Sequence, residues 1–283
     1  MKIKTFYSLF YRHRINKASF LRKLYLLIII IPIKYLINSF YFEKKVNLDK
    51  FDDREKLLID KDLNYLFEYF NSDKGEKFTD QYMQPSKKNS NIIKAHGYSK
   101  FYDKIFCNIK DEKINIMEIG SFYGNASAAL FFYFKNANIF GVDINPDMFK
   151  YRSERIRNFR VDSSSSQSIK NKILDLDISF KVIIEDASHM LKDQIISLFL
   201  LFPTIQSGGY FIIEELDFPE TREDMRINQD FPDLKTILNN VVRNEKFNSP
   251  YIDNESKNYF LNNFDHIVIH KGNMNEIAII KKK

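Results

Sequence analysis

Lys181-Val-Ile-Ile-Glu-Asp-Ala-Ser-His189 and Tyr210-Phe-Ile-Ile-Glu-Glu-Leu216 are two apolar, β-branched runs that each end in carboxylates. Such runs are buried strands of a parallel sheet. Between them, residues 191–207 carry apolar side chains at helical spacing, followed by Gly208-Gly209, so the whole reads as strand, helix, strand. Paired side by side, the two strands lie about 4.8 Å apart and point the same way. Their carboxyl ends then deliver Asp186, Glu214 and Glu215, with His189 beside them, to the sheet edge at which open α/β proteins bind ligands. Three carboxylates in one crevice repel one another unless protons or a cation neutralise them, and a hard divalent ion such as Mg²⁺ or Mn²⁺ suits the place. Glu185 competes with Asp186, but adjacent strand residues face opposite sides, so only one of the two reaches the crevice.

Upstream, Ile114-Asn-Ile-Met-Glu-Ile-Gly-Ser-Phe-Tyr-Gly-Asn-Ala-Ser127 reads as a strand, a tight turn and a helix start. Gly120 and Gly124 let the chain bend and let a ligand approach the backbone closely. The next strand, Asn138-Ile-Phe-Gly-Val-Asp143, ends in an acid able to take a ribose diol. A third, near Phe159-Arg-Val161, ends in Asp162 before four serines, a candidate adenine edge. The glycine pattern is E-x-G-x-x-x-G, beginning at Glu118, and not the G-x-G-x-x-G that seats a pyrophosphate. A nucleoside cofactor without phosphates fits it, which points to S-adenosylmethionine. The carboxyl end, Asp265-His-Ile-Val-Ile-His270 and Glu276-Ile-Ala-Ile-Ile280 around a Gly-Asn turn, reads as a β-hairpin. An antiparallel terminal hairpin on a mostly parallel, Rossmann-like sheet is the look of a class I methyltransferase.

These residues resemble a known family. Asn71-Ser-Asp-Lys-Gly75, His96-Gly-Tyr98 with Tyr102, Met117-Glu-Ile-Gly120, Gly141-Val-Asp143, Glu185-Asp-Ala-Ser-His189 and the Gly-Gly strand with its acidic pair follow the order seen in macrocin-type sugar O-methyltransferases, to which cephalosporin hydroxylase-like proteins are related. The resemblance covers residues 62–283. It implies transfer of a methyl group from S-adenosylmethionine to a sugar or glycan hydroxyl, Mg²⁺ held by Asp186, Glu214 and Glu215, and His189 as general base. Lys74, His96 and Tyr98 either line the substrate or cofactor mouth or tie the entry loop to the sheet. Two departures stand out: the acidic pair is Glu-Glu where the family usually has Glu-Asp, and residues 76–95 look like an insertion bearing on the pocket or a lid. Two other readings stay open. One is a hydroxylase-like activity on the same scaffold, although a redox metal usually asks for more imidazole ligands. The other is a non-catalytic membrane-associated protein with a relict cofactor pocket.

The chain has 283 residues and a net charge of +6, with 27 Phe and 16 Tyr to build a core. The only cysteine, Cys107, excludes an intrachain disulfide and a cysteine-based zinc site, fits a reducing, cytoplasmic setting, and reads as a small buried hydrophobe. Basic residues concentrate in the first 23 positions, which hold no acid. No basic patch interleaved with aromatics recurs later, which argues against nucleic acid. Residues 24–42 follow as an apolar stretch broken by Pro32 and Lys34, with an uninterrupted run shorter than the roughly 20 residues that span a bilayer. The reading is two-part: an N-terminal basic and apolar segment, residues 1–48, and a methyltransferase domain, residues 49–283. The segment is either peripheral on an anionic inner membrane face or packed on the core or in a homo-oligomer interface.

Overall fold

The order in which the strands line up decides where the site lies. The computed structural model describes all residues except 43, 52–56, 82–83, 85, 87–90 and 227–231. Among the described residues the main sheet has seven strands: β1 (Asn115–Ile119), β2 (Asn138–Asp143), β3 (Ile156–Arg160), β4 (Phe180–Glu185), β5 (Ile205–Ile213), β6 (Phe264–Lys271) and β7 (Glu276–Lys282). Their spatial order is β3-β2-β1-β4-β5-β7-β6. Strands β1 to β5 pair in parallel, and β7 joins β5 and β6 antiparallel. This is the expected mostly parallel Rossmann-like sheet with a C-terminal antiparallel hairpin. The chain reverses direction between β1 and β4, which opens a crevice there.

Both faces of the sheet are buried because its strands carry apolar side chains on both sides. Ile116, Val182, Ile184 and Ile212 face helices Leu63–Tyr69, Ser99–Phe106 and Asn125–Tyr133, while Met117, Ile183, Phe211 and Ile213 face helices Leu191–Leu201 and Leu234–Val242. Two boundaries differ from the sequence reading. Helix Leu191–Leu201 stops before Pro203, whose ring cannot continue it. Strand β5 reaches back to Ile205 through the two glycines, with a register shift opposite Phe180–Val182 and Gly208 at φ 65°. Cys107 is exposed, contrary to the expected burial. It caps helix Ser99–Phe106 on the outward side, one position past the buried Phe106.

Strands β1, β4 and β5 end level with one another, since Ile119 pairs with Glu185 and Glu185 with Ile213. The Asp186 amide donates to the Ile119 carbonyl (2.9 Å) and the Glu214 amide to the Glu185 carbonyl (3.0 Å). Gly120 is what permits this closeness. Its φ is 89°, and a Cβ there would lie 1.9 Å from the Asp186 carbonyl oxygen. The glycine therefore makes room for the neighbouring strand end. Gly120→Ala is expected to destabilise the fold by about 3–5 kcal/mol, the upper range for one substitution, combining left-handed strain with a backbone clash. Urea unfolding checks this, and an unchanged midpoint would show that the strand ends can separate.

The segment 76–95 leaves the body of the protein through a closed base. The amides of Ala95, His96, Gly97 and Tyr98 donate to the carbonyls of Glu76, Asp73, Gly75 and Lys74 at 2.8–2.9 Å, and Lys77–Thr79 pairs antiparallel with Ile92–Lys94. Segment 76–95, which reads in sequence as an insertion, thus leaves its two flanking motifs in contact; residues 82–83, 85 and 87–90 of it lie outside the described residues. Before the domain, the helices Ile3–Phe10, Arg12–Asn16, Phe20–Tyr25 and Ile31–Ser39 form the N-terminal segment, with a π-helical turn at Leu26–Ile30 just ahead of Pro32. No helix among the described residues is long and apolar enough to cross a membrane.

Candidate active site

A cavity of about 330 Å³ opens at the carboxyl ends of β1, β2 and β4. Gly120, Asp143 and Asp162 line one side of it, and Lys74, Asp186 and His189 the other. Sequence motifs from opposite halves of the domain therefore share one space.

On the first side, the Asp143 carboxylate accepts from the Phe122 amide (3.0 Å) and the Asn145 amide (2.7 Å), which hold it at the end of β2. Burial nevertheless raises its pKa. Asp162 accepts from the Ser164 hydroxyl at 2.6 Å. Glu118 is buried and accepts from Ser127 Oγ at 2.6 Å, with Lys74 Nζ at 3.6 Å from its other oxygen. Gly124, at φ 78°, opens the following helix, and a Cβ on it would meet the Phe149 ring at 2.6 Å. Both glycines thus have a packing reason for being glycine.

The acidic side is arranged in two layers. Lys74 is 1% exposed and points its ammonium between Asp186 and Glu214, bonding to both, at 2.8 Å in the case of Glu214. The other oxygen of Glu214 accepts from the Tyr102 hydroxyl. Glu214 is thereby occupied on both oxygens. Asp186, His189 and Glu215 form the second layer, with Asp186 and His189 in the cavity wall and Glu215 buried behind them: one ligating atom from each lies within 4.8 Å of the others. His96 Nε2 contacts Glu215 at 2.9 Å from behind. Glu214 and Glu215 reach the same site although they are consecutive, because β5 ends at Ile213 and Glu215 takes φ 46°. His189 has φ 55°, and Asn71 and Phe122 beside the cavity are also left-handed. Such strain costs on the order of 1–3 kcal/mol per residue and clusters where chemistry is done.

Electrostatics separates the two layers. Burial opposes the Lys74 charge, but Asp186, Glu214 and Glu118 outweigh it and hold its pKa well above the ordinary lysine value. Burial likewise opposes charge on His96, yet the hydrogen bond and charge of Glu215 raise it to about 9. His189 goes the other way: burial lowers its pKa, with Lys74 and His96 adding to the effect against Glu215. A neutral imidazole therefore faces the cavity. Burial raises Asp186 and Glu214, the latter to about 7, while Glu215, despite its burial, is held at about 2 by His189, which is protonated at the acid pH where this carboxylate titrates, and by His96. Four carboxyl groups, Glu118, Asp186, Glu214 and Glu215, face two cations, Lys74 and His96. Two buried atoms aimed at one another, Glu215 Oε2 and His189 Nδ1, stand 3.7 Å apart with no hydrogen-bond partner. More carboxyl groups than cations, beside unpartnered ligand atoms, fit a divalent cation.

Of the sequence-derived candidates, Lys74 belongs to the acidic cluster and His96 supports it. Tyr98 does not reach the cavity. It is fully buried, stacks on His96 with ring centroids 5.2 Å apart and donates to the Glu276 carbonyl at 3.4 Å, so it ties the entry loop to β7. Glu185 is buried and unpartnered on the far side of β4, as alternation requires. Tyr102 was not among the candidate site residues. Its signal was its place with the His96-Gly-Tyr98 motif, four residues after Tyr98, which precedes helix Ser99–Phe106.

Known proteins resemble this chain in part of its sequence and in its fold. No protein-family model matches the chain. The sequence is 27% identical over 128 residues to the 8-demethyl-8-α-L-rhamnosyl tetracenomycin-C 2′-O-methyltransferase of Streptomyces olivaceus, covering 43% of this chain and 33% of that enzyme. It is 26% identical over 128 residues to the demethylmacrocin O-methyltransferase of Streptomyces fradiae, covering 43% and 32%. The matched stretch is thus about a third of the length of these relatives. In three dimensions the chain resembles the MycE methyltransferase of the mycinamycin biosynthetic pathway, solved with Mg, SAH and mycinamycin VI, at a TM-score of 0.58 and 18% identity, over 78% of this chain and 53% of that one. The chain has the class I methyltransferase fold, and its sequence resembles the macrocin-type sugar O-methyltransferases.

Proposed function

We propose that this protein transfers a methyl group from S-adenosylmethionine to a hydroxyl of a sugar or glycosylated metabolite, with the help of Mg²⁺ or Mn²⁺. The observation that carries the reading is the single cavity lined by Gly120, Asp143 and Asp162 on one side and by Asp186 and His189 on the other. Asp143 takes the ribose diol, with the turn at Gly120 and the Asp162 edge framing the rest of the cofactor. Asp186 and Glu215 would hold the metal. Glu214, the third ligand implied by the family resemblance, has both oxygens engaged by Lys74 and Tyr102, so it joins only if Lys74 yields. When bound, a divalent ion would supply Lewis acidity at the substrate hydroxyl. His189, kept neutral by burial, would accept the proton of the substrate hydroxyl, and S-adenosylmethionine, when bound, would supply the electrophilic methyl. The rhamnosyl group named for a similar enzyme supports a sugar hydroxyl as acceptor.

The site disfavours the hydroxylase alternative, since it offers one open imidazole among carboxylates where a redox iron site takes two. The test is calorimetry with S-adenosylmethionine together with mass-spectrometric detection of methylated product on a panel of free and lipid-linked glycans. Wild-type protein should bind the cofactor, and Asp143→Ala should weaken binding by about 10–100-fold, the loss of one or two charge-assisted hydrogen bonds. Cofactor affinity unchanged in Asp143→Ala removes that residue from the site, and absence of cofactor binding by the wild type removes the function.

A further inference from the structure

The N-terminal helices make a small core of their own. Phe6, Tyr11, Ile15 and Ile31 are buried together where Ile3–Phe10 and Arg12–Asn16 fold back on the helical run that begins at Phe20. That contact uses only part of the run's surface. Phe20, Leu21, Ile28, Leu36 and Phe40 are 61–82% exposed, and five further Leu and Ile between positions 24 and 37 are 41–53% exposed. Apolar side chains left uncovered along a whole helical run mark a binding surface.

Charge selects the occupant. Residues 1–45 contain ten Lys and Arg against one acid, Glu43, so this segment carries the net positive charge of the whole chain. A second copy would bring the same ten cations against each other. An anionic bilayer satisfies both features, taking the apolar side chains into its acyl boundary and the cations at its headgroups. The exposed Tyr25 and Tyr41 stand toward the two ends of the run, the level that amphipathic rings prefer in membranes.

We propose that residues 1–42 are a docking element that binds an anionic lipid bilayer through the exposed apolar run at 20–40 and its basic surroundings. The element is fastened to the catalytic domain beside the cavity. The Lys2 amide and Thr5 hydroxyl donate to Asp147 at 2.5 and 2.9 Å, Gln84 donates to the Tyr11 hydroxyl at 3.2 Å, and the Ser86 amide donates to Asn38 at 2.8 Å. Asp147 and Gln84 each lie three residues beyond a cavity-lining residue, Ile144 and Gln81. Docking therefore holds the mouth of the cavity close to the leaflet.

The experiment is co-sedimentation of the full-length protein with vesicles of phosphatidylcholine containing about a third phosphatidylglycerol. The protein should sediment with them at low salt and at least about tenfold less with phosphatidylcholine alone, as electrostatic attraction requires. Leu21→Glu/Ile28→Glu/Leu36→Glu, which alters only exposed side chains, should lower partitioning by about tenfold or more at an unchanged melting temperature. Arg22→Glu/Lys23→Glu should lower it by about tenfold and flatten its salt dependence. Wild-type protein left in the supernatant with anionic vesicles overturns the proposal, as does undiminished sedimentation of the triple variant. Light scattering adds a third arm: a wild-type dimer that the triple variant dissolves would assign the face to a second copy. Sedimentation needs no turnover, so its failure and failure of the methyltransferase reading are separate results.

Discussion

His189→Ala should lower kcat by about 10²–10⁴-fold, the usual contribution of a positioned general base, while leaving Mn²⁺ and S-adenosylmethionine binding intact. The expectation rests on burial, which keeps this imidazole neutral amid carboxylates, and on its place in the cavity wall next to Asp186. Asp186→Asn should lose activity by a comparable or larger factor with little change in melting temperature, because it removes a charged ligand of the proposed metal without changing volume. EDTA should abolish turnover, and Mg²⁺ or Mn²⁺ should restore it. A His189→Ala enzyme with full kcat would remove the residue from proton transfer. A variant that loses Mn²⁺ affinity more than tenfold would make His189 a ligand, as the grouping of Asp186, His189 and Glu215 also allows. Wild-type activity surviving thorough chelation would overturn the metal-assisted mechanism.

Lys74→Met should destabilise the protein by about 3–5 kcal/mol, the cost of removing one partner from a buried ion pair. The lysine is 1% exposed and faces Asp186, Glu214 and Glu118, which would be left without their shared cation. The variant should regain part of the loss in Mg²⁺, because a ligand that binds only the folded state adds about 2.7 kcal/mol at a hundred times its Kd. Urea unfolding with and without Mg²⁺ measures both effects. If Mg²⁺ stabilises the wild type and the variant equally, Lys74 and the metal do not share the carboxylates. A midpoint unmoved by the substitution would mean that water reaches the cluster and screens it.

The family resemblance read from the motifs extends from residue 62 to the C-terminus, and the fold was legible there because its strands are apolar on both faces and punctuated by glycine and acid. Hydrophobic period and strand-end chemistry are local properties, so they survive in the linear sequence. The register of β1, β4 and β5, which brings Gly120, Asp186 and Glu214 level, follows from those runs being similar in length and ending alike. The alternation rule correctly turned Glu185 away, yet applied to Glu214 and Glu215 it would have excluded one of them. Both reach the site because the strand stops at Ile213 and the backbone turns left-handed at Glu215, a departure that propensity does not announce.

What the sequence by itself determined was the sheet, the cofactor-type turn, the acidic edge and the concentration of basic and apolar residues before position 45. Only the tertiary structure decided that Lys74, 112 residues from Asp186 in sequence, enters the acidic cluster, that Tyr102 holds Glu214, that Tyr98 stays out of the cavity, and that Cys107 faces solvent. It also decided that segment 76–95 leaves from a closed base and that much of the N-terminal run remains uncovered. The physical reason is common to all of these. A charge or hydroxyl finds its partner through distances set by packing across the whole domain, and a buried lysine among carboxylates is stable only once every one of those partners is in place.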